Sequence, residues 1–248
     1  MEQFKLEVSA NFERSFVATR TSIESTLQQL DSQKEKYSAS YFRLVSLQAW
    51  RSELFCNLLT SDAEEFFQEA HNDALMSHAL ARQGAWRVAL MSLRSLIENT
   101  IFGLYYCDHP VELQQWLNGE HKLGFSETIS YLLRHPKLKD LDGSITGIEN
   151  LKSEYATLSK AVHGSAKAFR MSRDGTVTGL NLNSLADLGA WSTREKATIT
   201  NLNLLLLCFF ADHIKDAALP NLRKSISLAV PVAKHPAIRT ALQVTLRH

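Results

Sequence analysis

Leu90, Leu93, Ile97, Ile101 and Leu104 follow one another at steps of three, four, four and three residues. A strand cannot gather such a series on one face, because its side chains alternate; a helix with 3.6 residues per turn does. The pattern recurs. Phe12, Phe16, Ile23, Leu27 and Leu30 mark a helix from Ala10 to about Leu30, and Ile148, Leu151, Tyr155, Leu158 and Val162 mark another from Ile148 to His163. Helices are also expected over Tyr41–Leu59, Ser61–Arg82, Trp86–Tyr106 and Thr193–Ala218, with shorter ones near Val111–Leu117 and Ser126–Leu133. Five prolines and ten glycines in 248 residues leave few breakers to interrupt them. The expected fold is an all-α helical bundle, with one small β-hairpin near residues 166–182, where Asp174-Gly175 separates two short mixed runs.

Punctuation sets the expected organisation. Residues 31–40, DSQKEKYSAS, read as a polar connection after an N-terminal helix, giving a first unit over 1–40. The bundle follows over 41–218, and a basic C-terminal tail over 219–248. Ser61 is placed to cap a helix whose first turn carries Asp62, Glu64 and Glu65. Gly164 is placed to end the helix that finishes at His163. Pro220 should break the last long helix, and Pro231 and Pro236 interrupt the tail.

Charge and cysteine usage exclude several classes. The net charge of +1 does not mark a strongly basic nucleic-acid-binding domain. After Asp216 no acidic residue remains, while Arg223, Lys224, Lys234, Arg239 and Arg247 follow; such a run can meet phosphates or form a solvated face. Cys56, Cys107 and Cys208 form no CxxC pair, which fits a reducing compartment such as the cytoplasm. The N-terminal MEQFKLEVSANFERSF lacks the apolar core of a secretory signal. Leu202–Ala211 is apolar apart from Asn203 but too short to span a bilayer, so a buried core helix is expected and no membrane partner.

Two polar sets accompany the stripes. Arg94 and Glu98 border the apolar face of their helix, in the order that supports a helix less well. They are a structural ion pair or the lining of a site. Tyr155, Ser159 and His163 share one side of the later helix, and His163 ends it, where the helix dipole favours a protonated imidazole able to exchange protons. Its alternative role is that of a simple dipole partner. His71 and His78 stand two turns apart without further metal-ligand spacing, and neither a P-loop nor a GxGxxG motif is present.

The segments LRSLIENTIFGLYY (93–106) and EYATLSKAVHGS (154–165) resemble the HEPN-like helical domains of bacteria. The similarity is to a branch in which an Arg-x-x-x-Glu helix precedes a Tyr-x-x-x-Ser-x-x-x-His helix ending in Gly, and it covers about residues 40–215. The resemblance implies a helical bundle that dimerises, or joins a partner, in a toxin–antitoxin or antiviral-defence system. Phe42, Trp50 and Phe55 are the aromatics expected at such an interface. Many HEPN domains are metal-independent endoribonucleases; others are inactive interaction modules. The usual signature, Arg followed after four to six residues by His, is missing: the positions before His163 hold Ala156, Thr157 and Leu158. For a nuclease the resemblance therefore implies that Arg94 supplies the guanidinium, oriented by Glu98. His163 would move a proton at the 2′-hydroxyl or the leaving oxygen, and Tyr155 and Ser159 would donate hydrogen bonds. Lys160, Lys167, Arg170, Arg223 and Lys224 would contact RNA, with no metal and no cofactor.

Overall fold

The computed structural model describes residues 1–163, 169, 172–173, 176–177 and 184–246. Its α-helices are α1 (Glu2–Asp31), α2 (Lys34–Trp50), α3 (Cys56–Leu58), α4 (Ser61–Arg82), α5 (Trp86–Asp108), α6 (Pro110–Leu117) and α7 (Phe125–Arg134), with a π-helical turn at Arg51–Phe55 joining α2 to α3. They continue as α8 (Gly143–Thr146), α9 (Ile148–His163), α10 (Leu185–Phe209), α11 (Ala211–Ile214), α12 (Pro220–Ala229) and α13 (His235–Leu242). A two-residue antiparallel ladder pairs Ser172 with Val177 and Arg173 with Thr176. The Asp174-Gly175 turn and the Gly164 cap lie outside the described residues.

The all-α bundle is as expected, with α2, α4, α5, α9 and α10 around a common core and α12 packed on α2. The heart of α10 is apolar on every side: Leu202 and Leu204–Phe210 are all buried. Each such large side chain contributes about 1.5–3 kcal/mol of burial free energy. Asn203, the polar interruption in that run, is fully buried and fully engaged. Its Oδ1 accepts from Trp50 Nε1 at 2.9 Å, and its Nδ2 donates to Ser46 Oγ and to the Ile199 carbonyl, each at 2.9 Å. Glycines allow close approach at two points. A Cβ on Gly103 would lie 2.9 Å from the Phe67 ring of α4. Gly147, at φ +70°, links α8 to α9 with Asn201 of α10 directly against it.

Several expectations need correction. Residues 31–40 are not a connection: α1 runs from Glu2 to Asp31, and α2 begins at Lys34. The polar composition concealed one helical face, on which Tyr37, Ser40, Leu44 and Leu47 are buried. The helix cap before α4 is Thr60, one residue earlier than expected; its Oγ1 accepts from Ala63 N at 3.4 Å. Pro220 and Pro236 do not interrupt helices but start them, where a missing N–H is harmless. The expected tail is part of the fold, with Leu222, Ile226, Ile238, Val244 and Leu246 buried. Glu53 Oε2 accepts from Leu222 N at 2.9 Å and caps α12.

Candidate functional site

Helices α5 and α9 pack antiparallel. Glu98 and Arg94 meet Tyr155 and Ser159, and Arg87, two turns earlier on α5, reaches the last turn of α9. Arg94 is the hub. Its Nε donates to Ser159 Oγ at 3.1 Å, and its Nη2 donates to Glu98 Oε1 at 2.8 Å and to the Tyr155 hydroxyl. Tyr155 donates onward to Glu98 Oε1 at 2.6 Å, and Ser159 Oγ donates to its own helix at the Tyr155 carbonyl. Two groups meet the Tyr155 ring: the Arg94 guanidinium, 4.7 Å from its centroid, and the Phe125 ring of α7, stacked at 3.4 Å. Burial, reinforced by Glu98, raises the Tyr155 pKa, so the residue acts as a neutral phenol donor.

Four of the five expected site residues thus converge across 57 to 65 positions of sequence. His163 is exposed at the end of α9, and no hydrogen bond joins it to this network among the described residues. Ser159 and His163 are one turn apart, about 6 Å along the axis. The guanidinium that reaches the end of α9 is that of Arg87, a residue the motif reading did not single out. It donates to the Ala161 and Val162 carbonyls at 2.9 and 3.0 Å, satisfying acceptors that a helix terminus leaves open. Its signal in the sequence was its place two turns before Arg94, on the same face.

Of the expected RNA contacts, Lys160 is exposed and so is Lys224. Lys167 and Arg170 lie outside the described residues. Arg223 is a correction. It is buried, and its guanidinium donates to the carbonyls of Thr245, Ile214, Lys215 and Ala217, binding the C-terminal segment to the body instead of presenting charge to a phosphate.

A second polar cluster had no motif to announce it. Glu195 of α10 is buried, with Arg43 Nε donating to it at 2.9 Å and Ser40 Oγ at 3.1 Å. Ser40 also meets His78 Nδ1 at 3.0 Å, and His78 edges onto Tyr37, Tyr41 and Trp191. Burial raises the Glu195 pKa against the pull of Arg43, and burial lowers that of His78. His78 lines a cleft of about 500 Å³ with Lys34, Tyr41 and Arg82. In a third cluster, the carboxylate of Asp108 accepts from Tyr131 at 2.8 Å and meets His135 Nε2 at 3.1 Å. Burial pushes the Cys107 and Cys208 thiols up to about 12, so neither is a ready nucleophile. Among the described residues no group of His, Cys, Asp and Glu is arranged to hold a metal ion. Nor is any described helix long and apolar enough to cross a membrane.

No protein-family model matches the chain, and no curated protein or solved structure matches it.

Proposed function

We propose that this chain is a helical scaffold of the HEPN-like kind, a cytoplasmic component of a bacterial toxin or antiviral-defence assembly that works by binding protein. The observation that carries this reading is α1. Every residue from 1 to 22 is exposed, and among them Phe4, Val8, Phe12 and Phe16 form an apolar row that no other described helix covers. The α5–α9 network supports the same reading. Arg94 is neutralised by Glu98, and its Nε and Nη2 are already committed, so the network holds two helices in register. The HEPN-like and defence context rests on the resemblance of residues 93–106 and 154–165.

A second reading, the metal-independent ribonuclease, is favoured by the openness of the seam. The Arg94 and Glu98 side chains are 24% and 22% exposed, whereas those of Arg43 and Glu195 are 9% and 2% exposed. In that reading His163, one turn past Ser159, exchanges a proton with the 2′-hydroxyl, and the Arg94 guanidinium stabilises the phosphate charge. The purified protein incubated with RNA in EDTA separates the two. The scaffold reading expects intact RNA, a lowered melting temperature for Arg94→Ala and an unchanged one for His163→Ala. Cleavage by the wild type that His163→Ala abolishes would overturn it.

A further inference from the structure

The aromatics that the sequence offered for an interface are mostly core. Trp50 and Phe55 are buried and stack on each other at 5.6 Å, whereas Phe42 is exposed. Tyr41, beside it on α2, is exposed as well, and its ring walls the cleft of about 500 Å³, a volume typical of small-molecule sites. The first turns of α2 supply Lys34 and Tyr41 to this cleft, the last turns of α4 supply His78 and Arg82, and the end of α1 supplies Asp31. Arg82 pairs with Asp31 at 3.5 Å. No hydrogen bond or ion pair engages the Lys34 ammonium among the described residues, so one positive charge of the lining is left without a counter-charge. Lys34 is also the first residue of α2, where the helix dipole favours an anion.

What His78 presents to the cleft is decided by the buried pair behind it. Ser40 Oγ lies 3.0 Å from His78 Nδ1 and 3.1 Å from Glu195 Oε1, and it has one proton for the two. Glu195 is ionised, because otherwise the Arg43 guanidinium on its Oε2 would be a buried cation without a counter-charge. The carboxylate therefore takes the Ser40 proton, and His78 Nδ1 carries a hydrogen of its own and donates it to Ser40 Oγ. Nε2 is then a bare acceptor, and no described residue donates to it. The buried rings of Trp191 and Tyr37 stand edge-on to the imidazole at 6.2 and 6.0 Å and restrict its rotation.

We infer that the cleft is a binding site for a small flat anion. Its heteroaromatic ring stacks on Tyr41 and donates an N–H to His78 Nε2, and its carboxylate or phosphate meets Lys34. Ser40, Glu195 and Arg43 are positioning residues: they hold the imidazole in one tautomer from inside the core and touch no ligand. The site shares no residue with the α5–α9 seam or with the exposed row of α1, so it stands or falls apart from the scaffold and ribonuclease readings.

Isothermal titration calorimetry on the full chain tests this with two probes that carry the shared chemistry from different sources, adenosine 5′-monophosphate and indole-2-carboxylate. At least one is expected to bind with a Kd of about 1 mM or tighter. Its uncharged parent, adenosine or indole, should bind about tenfold more weakly. Binding of the nucleotide alone assigns a phosphate ligand, and binding of the indole acid alone a carboxylate. Lys34→Met and Tyr41→Ala, both at exposed positions, should each weaken binding about fivefold or more at an unchanged melting temperature. Nitrogen NMR of the histidine-labelled wild type at neutral pH should show His78 Nε2 unprotonated and shifted by the bound probe. Ser40→Ala should loosen that tautomer preference and weaken binding with Lys34 and Tyr41 intact. Binding of neither probe, equal binding of the uncharged parents, unchanged affinity in Lys34→Met and Tyr41→Ala, or a proton on Nε2 in the free protein overturns the inference.

Discussion

Glu195 brings a carboxylate into the core opposite Arg43, and its energetics follow from what surrounds it. Removing Arg43 leaves a buried charge unpaired, and Arg43→Ala is expected to destabilise the fold by about 3–5 kcal/mol in urea unfolding. Because burial raises the Glu195 pKa in the folded state, its contribution is most favourable below the unfolded carboxyl pKa, near 4.5, and is lost as pH rises through the folded value. Glu195→Gln should therefore flatten the stability–pH profile upward from about pH 4.5. A profile that keeps its slope in that variant would show that another group is responsible. Asn203 is the neutral counterpart: Asn203→Ala strands the Trp50 indole N–H and opens a void, for an expected loss of about 2–4 kcal/mol.

At the scale of elements, the α8–α9 junction depends on one backbone conformation. Gly147 sits at φ +70°, and an added Cβ would lie 2.9 Å from Asn201 Oδ1 and 3.0 Å from its backbone oxygen. Gly147→Ala combines left-handed strain with a clash and should lower stability by about 2–4 kcal/mol, whereas Gly143→Ala, with open space around it, should change it little. Comparing the two melting temperatures checks the assignment. The other end of α9 depends on Arg87, which closes its terminal carbonyls. Arg87→Met is expected to cost about 1.5–3 kcal/mol and to raise amide hydrogen exchange in the last turn of α9. Exchange unchanged there would remove the capping role.

Across the whole molecule, burial lowers the pKa of three histidines on different elements: His71, His78 and His135. Each is neutral in the folded state at a pH where the unfolded chain protonates it. Their contribution is present above the unfolded value near 6.5 and is lost as pH falls through the folded values. The urea midpoint should drop on acidification below about pH 6.5, and His71→Gln/His78→Gln/His135→Gln should make that drop shallower. An identical drop in the triple variant would assign the effect elsewhere. This histidine effect runs opposite in sign to that of Glu195, so the two variants bend the profile in different directions.

The sequence by itself determined that the fold is all-helical and, for α5 and α9, which residues share a face, but it missed the start of α2 within residues 31–40 and placed the last long helix at Thr193–Ala218 where α10 spans Leu185–Phe209. The 3.6-residue repeat is local, and α9 runs from Ile148 to His163 as its stripe required. Arg94 with Glu98, and Tyr155 with Ser159, were legible as polar edges of two stripes, and packing those stripes brought the edges together. Register between helices is not local, and there the tertiary structure decided. It put Arg87 at the last turn of α9, joined Arg43 to Glu195 across 152 residues, and committed Arg223 to backbone carbonyls. It also separated two kinds of apolar surface that look alike in sequence. Trp50 and Phe55 are covered, while Phe12 and Phe16 are not, because periodicity shows that a face is apolar but not what lies against it.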